Sequence, residues 1–210
     1  MKIQKKRILT YVVGLIILAL GIDLNTKTHL GVSPIISIAY NIATIKGWIL
    51  GVTVFIYYVL QIFLQWFLLK KDFEYIQFMQ AICALITSAA VQVFDLIIPS
   101  PNSMTLRLLL LILAIVITAI GASLTVSMKL IANPADALAN VLGIKLGQDF
   151  GFGKNLLDLS CIVISLLICF ICEGRLIGIG IGTIISMIFT GRAIAMLKGK
   201  TQKVYEWTLK

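Results

Sequence analysis

Apolar runs long enough to cross a lipid bilayer recur from one end of this chain to the other, at 8–24, 49–69, 76–98, 106–126, 156–172 and 176–197. A hydrocarbon core about 30 Å thick takes about 20 helical residues to cross. With 60% hydrophobic and 13% charged residues, most of the chain must lie in a solvent as apolar as itself, and no segment is left for a separate soluble domain. The expected fold is all-α, a polytopic membrane helix bundle with 1–210 as a single membrane domain.

The net charge of +9 gathers in short clusters at the ends of the apolar runs and not on one basic face, so no nucleic-acid partner is expected. Lys2, Lys5, Lys6 and Arg7, followed by the apolar stretch 8–19, imitate a signal peptide. No small-x-small cleavage site follows, and the segment is expected to remain as the first span. Cys83, Cys161, Cys169 and Cys172 fall inside apolar spans, where cysteine packs as a small hydrophobe. The Cys169-x-x-Cys172 spacing has no histidine or second cysteine pair nearby, so neither a metal nor a cofactor is expected.

Advancing the first half by 100 positions brings Gly21, Leu24, Leu30, Pro34, Ala39, Gly47 and Gly51 onto Gly121, Leu124, Leu130, Pro134, Ala139, Gly147 and Gly151. Gly and Pro constrain backbone geometry, so their shared register reads as two structural repeats, about 8–98 and 106–197. Ser33-Pro34 and Asn133-Pro134 are helix starts, with a capping residue followed by proline at the first helical position. The helices they open, about 34–45 and 134–146, reach only about 18–20 Å at about 1.5 Å per residue. They are too short to cross and read as broken or re-entrant pieces.

Three spans per repeat is an odd number, so the second repeat is expected to be inverted. Six crossings leave Lys27, Lys46, Arg107 and Arg175 outside and the other fourteen of the 18 Lys and Arg residues on the cytoplasmic side, with both termini. Eight crossings with parallel repeats give nearly the same bias, and span length decides for six. The tail 198–210, with Lys198, Lys200, Lys203 and Lys210 around Tyr205 and Trp207, reads as a segment at the inner headgroup layer.

Polar groups inside spans are costly and are usually paired or face a wet cavity. The candidate substrate-binding residues are Asp23 and Asn25 before the first short helix, Ser33 and Asn133 at the two helix starts, Asp136 and Asn140 on the second short helix, and Asp158 in the next span. Asp136 at the third helical position also favours the positive end of its helix. Asp158 has a structural partner in Lys154 one turn earlier. Asp95, near a span end, and His29, near the interface, read as solvated. Gly174, Gly178, Gly182, Ser186 and Thr190 recur every fourth residue and read as a small-residue stripe for close helix packing. No serine or cysteine is set beside a base, so no catalytic residue and no enzymatic activity are expected.

Gly21-x-x-Leu24, Leu30-Gly31-Val32-Ser33-Pro34, Gln80, Phe94-Asp95-Leu96, Asn133-Pro134-x-Asp136-Ala137 and Gly182-Thr183 together resemble the YczE-like family, within the YczE/YyaS/YitT group of bacterial membrane proteins. The resemblance covers nearly the whole chain and implies a multi-span bacterial inner-membrane protein whose activity is unassigned. Similar members carry Gly-Pro-x-Asp at the second short helix and an acidic residue early in the next span. Asn133 stands here in place of that glycine, while Asp136 and Asp158 match the acidic positions.

The expected function is small-solute transport or ligand binding by a permease subunit, through a polar site formed by the two broken segments between the repeats. Helix starts at Ser33 and Asn133 favour an anionic group, and Asp23, Asp136 and Asp158 a cation or proton, which together suit a zwitterionic or proton-coupled solute. The alternative is a membrane scaffold acting through the small-residue stripe and the basic tail. Expected partners are membrane lipid, a small-molecule solute, and a second copy or another membrane protein.

Overall fold

The structure is a computed structural model and describes residues 5–209; Lys2 of the N-terminal cluster and Lys210 of the tail lie outside the described residues. Among these the chain is all-α, with α1 Lys5–Lys27, α2 Pro34–Lys46, α3 Leu50–Leu69, α4 Gln80–Ile97, α5 Met104–Ser127, α6 Pro134–Lys145, α7 Phe150–Glu173 and α8 Ile181–Thr208. Six of these, all but α2 and α6, are long and apolar enough to cross a membrane, so the chain is a membrane-embedded helix bundle.

Local chemistry sets the short helices. Pro34 and Pro134 open α2 and α6, of 13 and 12 residues. Gly47 and Gly147 follow their ends in the left-handed region, at φ 65° and 66°, where a side chain would be strained. The elements recur at the 100-residue spacing: α1 and α5 end at Lys27 and Ser127, and α2 and α6 begin at Pro34 and Pro134. His29 and Lys129, one in each α1–α2 and α5–α6 connection, both adopt positive φ, 53° and 49°.

The centre of the bundle is the α1–α5 pair. A Cβ on Gly21 would strike the backbone of Thr118, one on Gly121 the backbone of Leu18, and one on Gly14 would meet Thr125. Contacts that descend one helix as they climb the other make α1 and α5 antiparallel. Small residues let the backbones meet, which is how helices gain dispersion contacts in lipid, where apolar burial alone favours neither partner. Around this pair, α4 packs on α1 as α8 packs on α5, while α2 packs on α7 as α6 packs on α3. One correspondence fails: α3 packs along α4, but α7 and α8 do not pack along one another.

The two ends of the bundle are built differently. At the end we call proximal, Arg7 donates from its guanidinium to the carbonyls of Met128 and Lys129, both at 2.6 Å. The Tyr205 ring lies against the Arg7 and Lys129 cations at 5.4 and 5.0 Å, and Trp207 against Lys6 at 5.1 Å. The tail continues α8 to Thr208, and its rings hold it on the N-terminal turn of α1. At the distal end, Lys27 and Asp95 form an ion pair at 2.7 Å, so Asp95 is paired, contrary to the expectation of a merely solvated group. His29 is exposed, in line with the expectation, and its Nε2 meets Ser100 Oγ at 2.9 Å.

The small-residue stripe is broken up. The last helix begins at Ile181, so Gly174 and Gly178 lie in the α7–α8 connection, in left-handed turns at φ 65° and 64°; a Cβ on Gly174 would meet nothing, whereas one on Gly178 would strike Asn41 and Tyr40 of α2. Gly182 does serve close approach, since a Cβ there would press on the Leu30 and Gly31 carbonyls. Its N–H donates to Leu30 O at 2.7 Å, and Val32 N–H donates to Gly178 O at 2.8 Å, so the two connections are joined through their backbones.

Candidate functional site

The starts of α2 and α6 arrive at the same place. Ser33, Pro34 and Ile35 from one, and Asn133, Ala135 and Asp136 from the other, line a central cavity of about 100 Å³. α7 adds Lys154, Asn155 and Asp158, α1 adds Asn25, and α8 adds Ser186. Many of the lining residues are counterparts at the 100-residue spacing: Leu18 and Thr118, Ile22 and Ala122, Ser33 and Asn133, Ile36 and Asp136, Tyr58 and Asp158. A cavity lined by the same positions from both halves lies where the halves meet.

Lys154 Nζ donates to Asp158 Oδ1 at 2.9 Å, with side-chain exposures of 18% and 6%. In so apolar a setting a charge needs its partner, and these two satisfy each other. Asp136 is left over: among the described residues its carboxylate makes no hydrogen bond and no ion pair, although Lys154 and Asp158 act on it through space. Asn133 accepts from Ala135 N–H at 3.1 Å through Oδ1 and so caps α6; its Nδ2 completes no hydrogen bond, with the Tyr58 hydroxyl the neighbouring group that acts on this side chain. Asn25 donates to Ser186 Oγ at 3.0 Å, and its Oδ1 has no partner.

Five of the seven expected binding residues, Asn25, Ser33, Asn133, Asp136 and Asp158, thus share one cavity. The other two do not. Asn140 lines a larger adjoining cavity of about 540 Å³, with Gln65, Gln77 and Gln80, which meets the first at Asp136 and Lys154. Asp23 is fully buried with neither carboxylate oxygen hydrogen-bonded, and it lines neither cavity. Lys27, one turn on, is taken by Asp95. Ser186, expected as packing, is a wall of the site and the partner of Asn25.

Tyr58 and Lys154 complete the site. Lys154 is foreseeable as the partner of Asp158. Tyr58 is wholly buried, and its signal in the sequence is the repeat itself, which sets it opposite Asp158. The larger cavity opens the proximal half of the molecule, where Gln65 and Gln80 exchange hydrogen bonds at 3.1 and 3.0 Å and Gln65 also donates to Pro134 O at 3.1 Å. No metal-holding group of His, Cys, Asp or Glu occurs among the described residues.

No curated protein and no solved structure matches this chain. A family model described as "Family of unknown function (DUF6198)" matches residues 5–199. That match spans nearly the whole bundle, and the chain belongs to the DUF6198 family.

Proposed function

We propose that this chain is a small-solute transporter, or the ligand-binding subunit of a permease, with its site in the central cavity between two inverted repeats. The observation that carries the reading is the meeting of the α2 and α6 starts in one cavity lined by paired positions of the two halves. Helices α1 and α5, equivalent in the sequence, run antiparallel, which supports an inverted relation. Broken helices at a repeat interface are a recurring way to place a polar site in a membrane. The larger cavity supplies a route from the proximal end, while the distal end is joined through Lys27–Asp95 and the backbone bonds of Leu30 and Val32.

A bacterial cytoplasmic membrane, with the proximal end inside, belongs to the same proposal and rests on the Lys and Arg distribution. Kinship with the YczE-like proteins belongs to it too, on the motifs around Ser33, Asp95 and Asn133. Part of what would serve a scaffold is engaged within the chain, Gly182 on Gly31, Ser186 on Asn25 and Tyr205 on Arg7, while Lys198, Lys200 and Lys203 of the tail stay exposed. Transport is therefore the stronger reading.

The test is thermal unfolding of the purified protein against a broad panel of metabolites and ions. A ligand at 100 times its Kd adds about 2.7 kcal/mol. Stabilisation by one class of solute that disappears in Asp136→Asn supports the site; no response to any class counts against it.

A further inference from the structure

The two helix starts that meet in the cavity have the same position in their repeats but opposite polar character. At α6, Asn133 Oδ1 accepts from Ala135 N–H, and Asp136 stands in the first turn. The positive end of that helix is thus answered from within the chain. At α2, Ser33 makes no capping bond and no acidic residue stands in the first turn, since Ile36 occupies the position equivalent to Asp136. Ile36 and Ser37 N–H both donate to Ser33 O at 3.1 Å. Ile35 N–H, at a position that lines the cavity, has no acceptor among the described residues.

Such an uncomplemented start is a place for an anion, because its one free N–H, that of Ile35, and the helix dipole both favour negative charge. Two further groups point to a ligand. Asn133 Nδ2 and Asn25 Oδ1 are unpartnered, and both residues line the cavity at only 4% exposure. A buried amide atom without a partner is costly to hold, so a donor and an acceptor are held ready for something polar. Asp136 adds a carboxylate with no hydrogen bond or ion pair of its own among the described residues, Lys154 being engaged by Asp158.

We infer that the central cavity takes a small zwitterion, its anionic group at the α2 start with Ser33, Ile35 N–H and Asn133 Nδ2, and its cationic group at Asp136 with Asn25 Oδ1. This deepens the solute-site reading above and rests on it. The chemistry decides against singly charged ligands. A lone anion would meet Asp136, and a lone cation would leave the α2 start and Asn133 Nδ2 unanswered. The volume, about 100 Å³, is several times what one water needs, which suits a ligand of few heavy atoms.

The experiment measures binding to the full chain in detergent by calorimetry and thermal unfolding. The probes are glycine, β-alanine and γ-aminobutyrate, which lengthen the charge separation, with ethylamine and propionate as single-charge counterparts. At least one zwitterion binds, and neither ethylamine nor propionate matches it. Asp136→Asn weakens that zwitterion about tenfold or more, the loss of a hydrogen bond to a charged group. Ser33→Asp does the same for a different reason, since it places a carboxylate where the ligand's anion would sit, at a helix start whose capping preference and dipole both accept aspartate; an unfolding midpoint within a few degrees of the parent shows that the variant is folded. Equal binding of ethylamine and the zwitterions, unaffected by Ser33→Asp, overturns the inference in favour of a cation site. Binding of another solute from the broad panel but of no zwitterion overturns the inference and leaves the transport reading standing. Silence of the whole panel removes both.

Discussion

Gly21 and Gly121 lie on the two sides of one helix crossing, each against the backbone of the residue three positions before its counterpart, Thr118 for the first and Leu18 for the second. The reciprocity is that of two antiparallel helices in backbone contact, and it makes the crossing sensitive to any added carbon.

Gly21→Val and Gly121→Val should each destabilise the protein by at least about 1–3 kcal/mol, the cost of overpacking a filled contact. Gly199→Ala on α8, where an added Cβ meets nothing within 4 Å, should be neutral or slightly stabilising. Thermal unfolding in detergent distinguishes them, and equal midpoints for all three variants would contradict the close crossing.

Lys154 and Asp158 should behave as a unit. Lys154→Met strands a carboxylate that is 6% exposed, at a cost of about 3–5 kcal/mol. Adding Asp158→Asn removes the stranded charge and should recover most of the loss. A double-mutant cycle in unfolding midpoints reads the coupling, and strict additivity would mean that the pair is not formed.

The larger cavity predicts one-sided access. Asn140 lines it and is exposed, while native Cys172 sits near the other end of α7, one residue from Glu173. In oriented vesicles, Asn140→Cys in a Cys172→Ser background should react with a membrane-impermeant maleimide added on the proximal side. Labelling from the distal side instead would reverse the assignment of the open end.

Tyr205 touches two cations from different parts of the chain, Arg7 and Lys129. Tyr205→Ala should cost on the order of 1 kcal/mol, because it removes two cation–π interactions worth about 0.5–1 kcal/mol each. Limited proteolysis should then cut the end of α8 faster than in the parent protein; unchanged cleavage would show that the ring does not hold the tail.

Much of this arrangement is legible in the residues alone. Pro34 and Pro134 mark the short helices, and the shared Gly and Pro register locates the repeated elements. The stripe from Gly174 to Thr190 misleads because spacing by fours presumes a continuous helix. Gly174 and Gly178 adopt left-handed turns, and glycine permits both conformations, so the residue type cannot choose between them. Tyr58 escapes notice because an isolated tyrosine in an apolar span looks like packing until its counterpart, Asp158, is seen on the same wall.

What the sequence determined by itself was the solvent and the local punctuation: a membrane-embedded all-α chain, its spans, and the starts of α2 and α6. These follow from hydropathy and from the restricted backbones of Pro and Gly, which act within a few residues. The tertiary structure alone decided which polar groups share a site. Asn25 reaches Ser186 across 161 positions, whereas Asp23, two residues earlier, lines neither cavity and has no hydrogen-bond partner for its carboxylate. On a helix, two residues' difference is more than half a turn, so neighbours in sequence face different surroundings, and only the packing of the other helices says what those surroundings are.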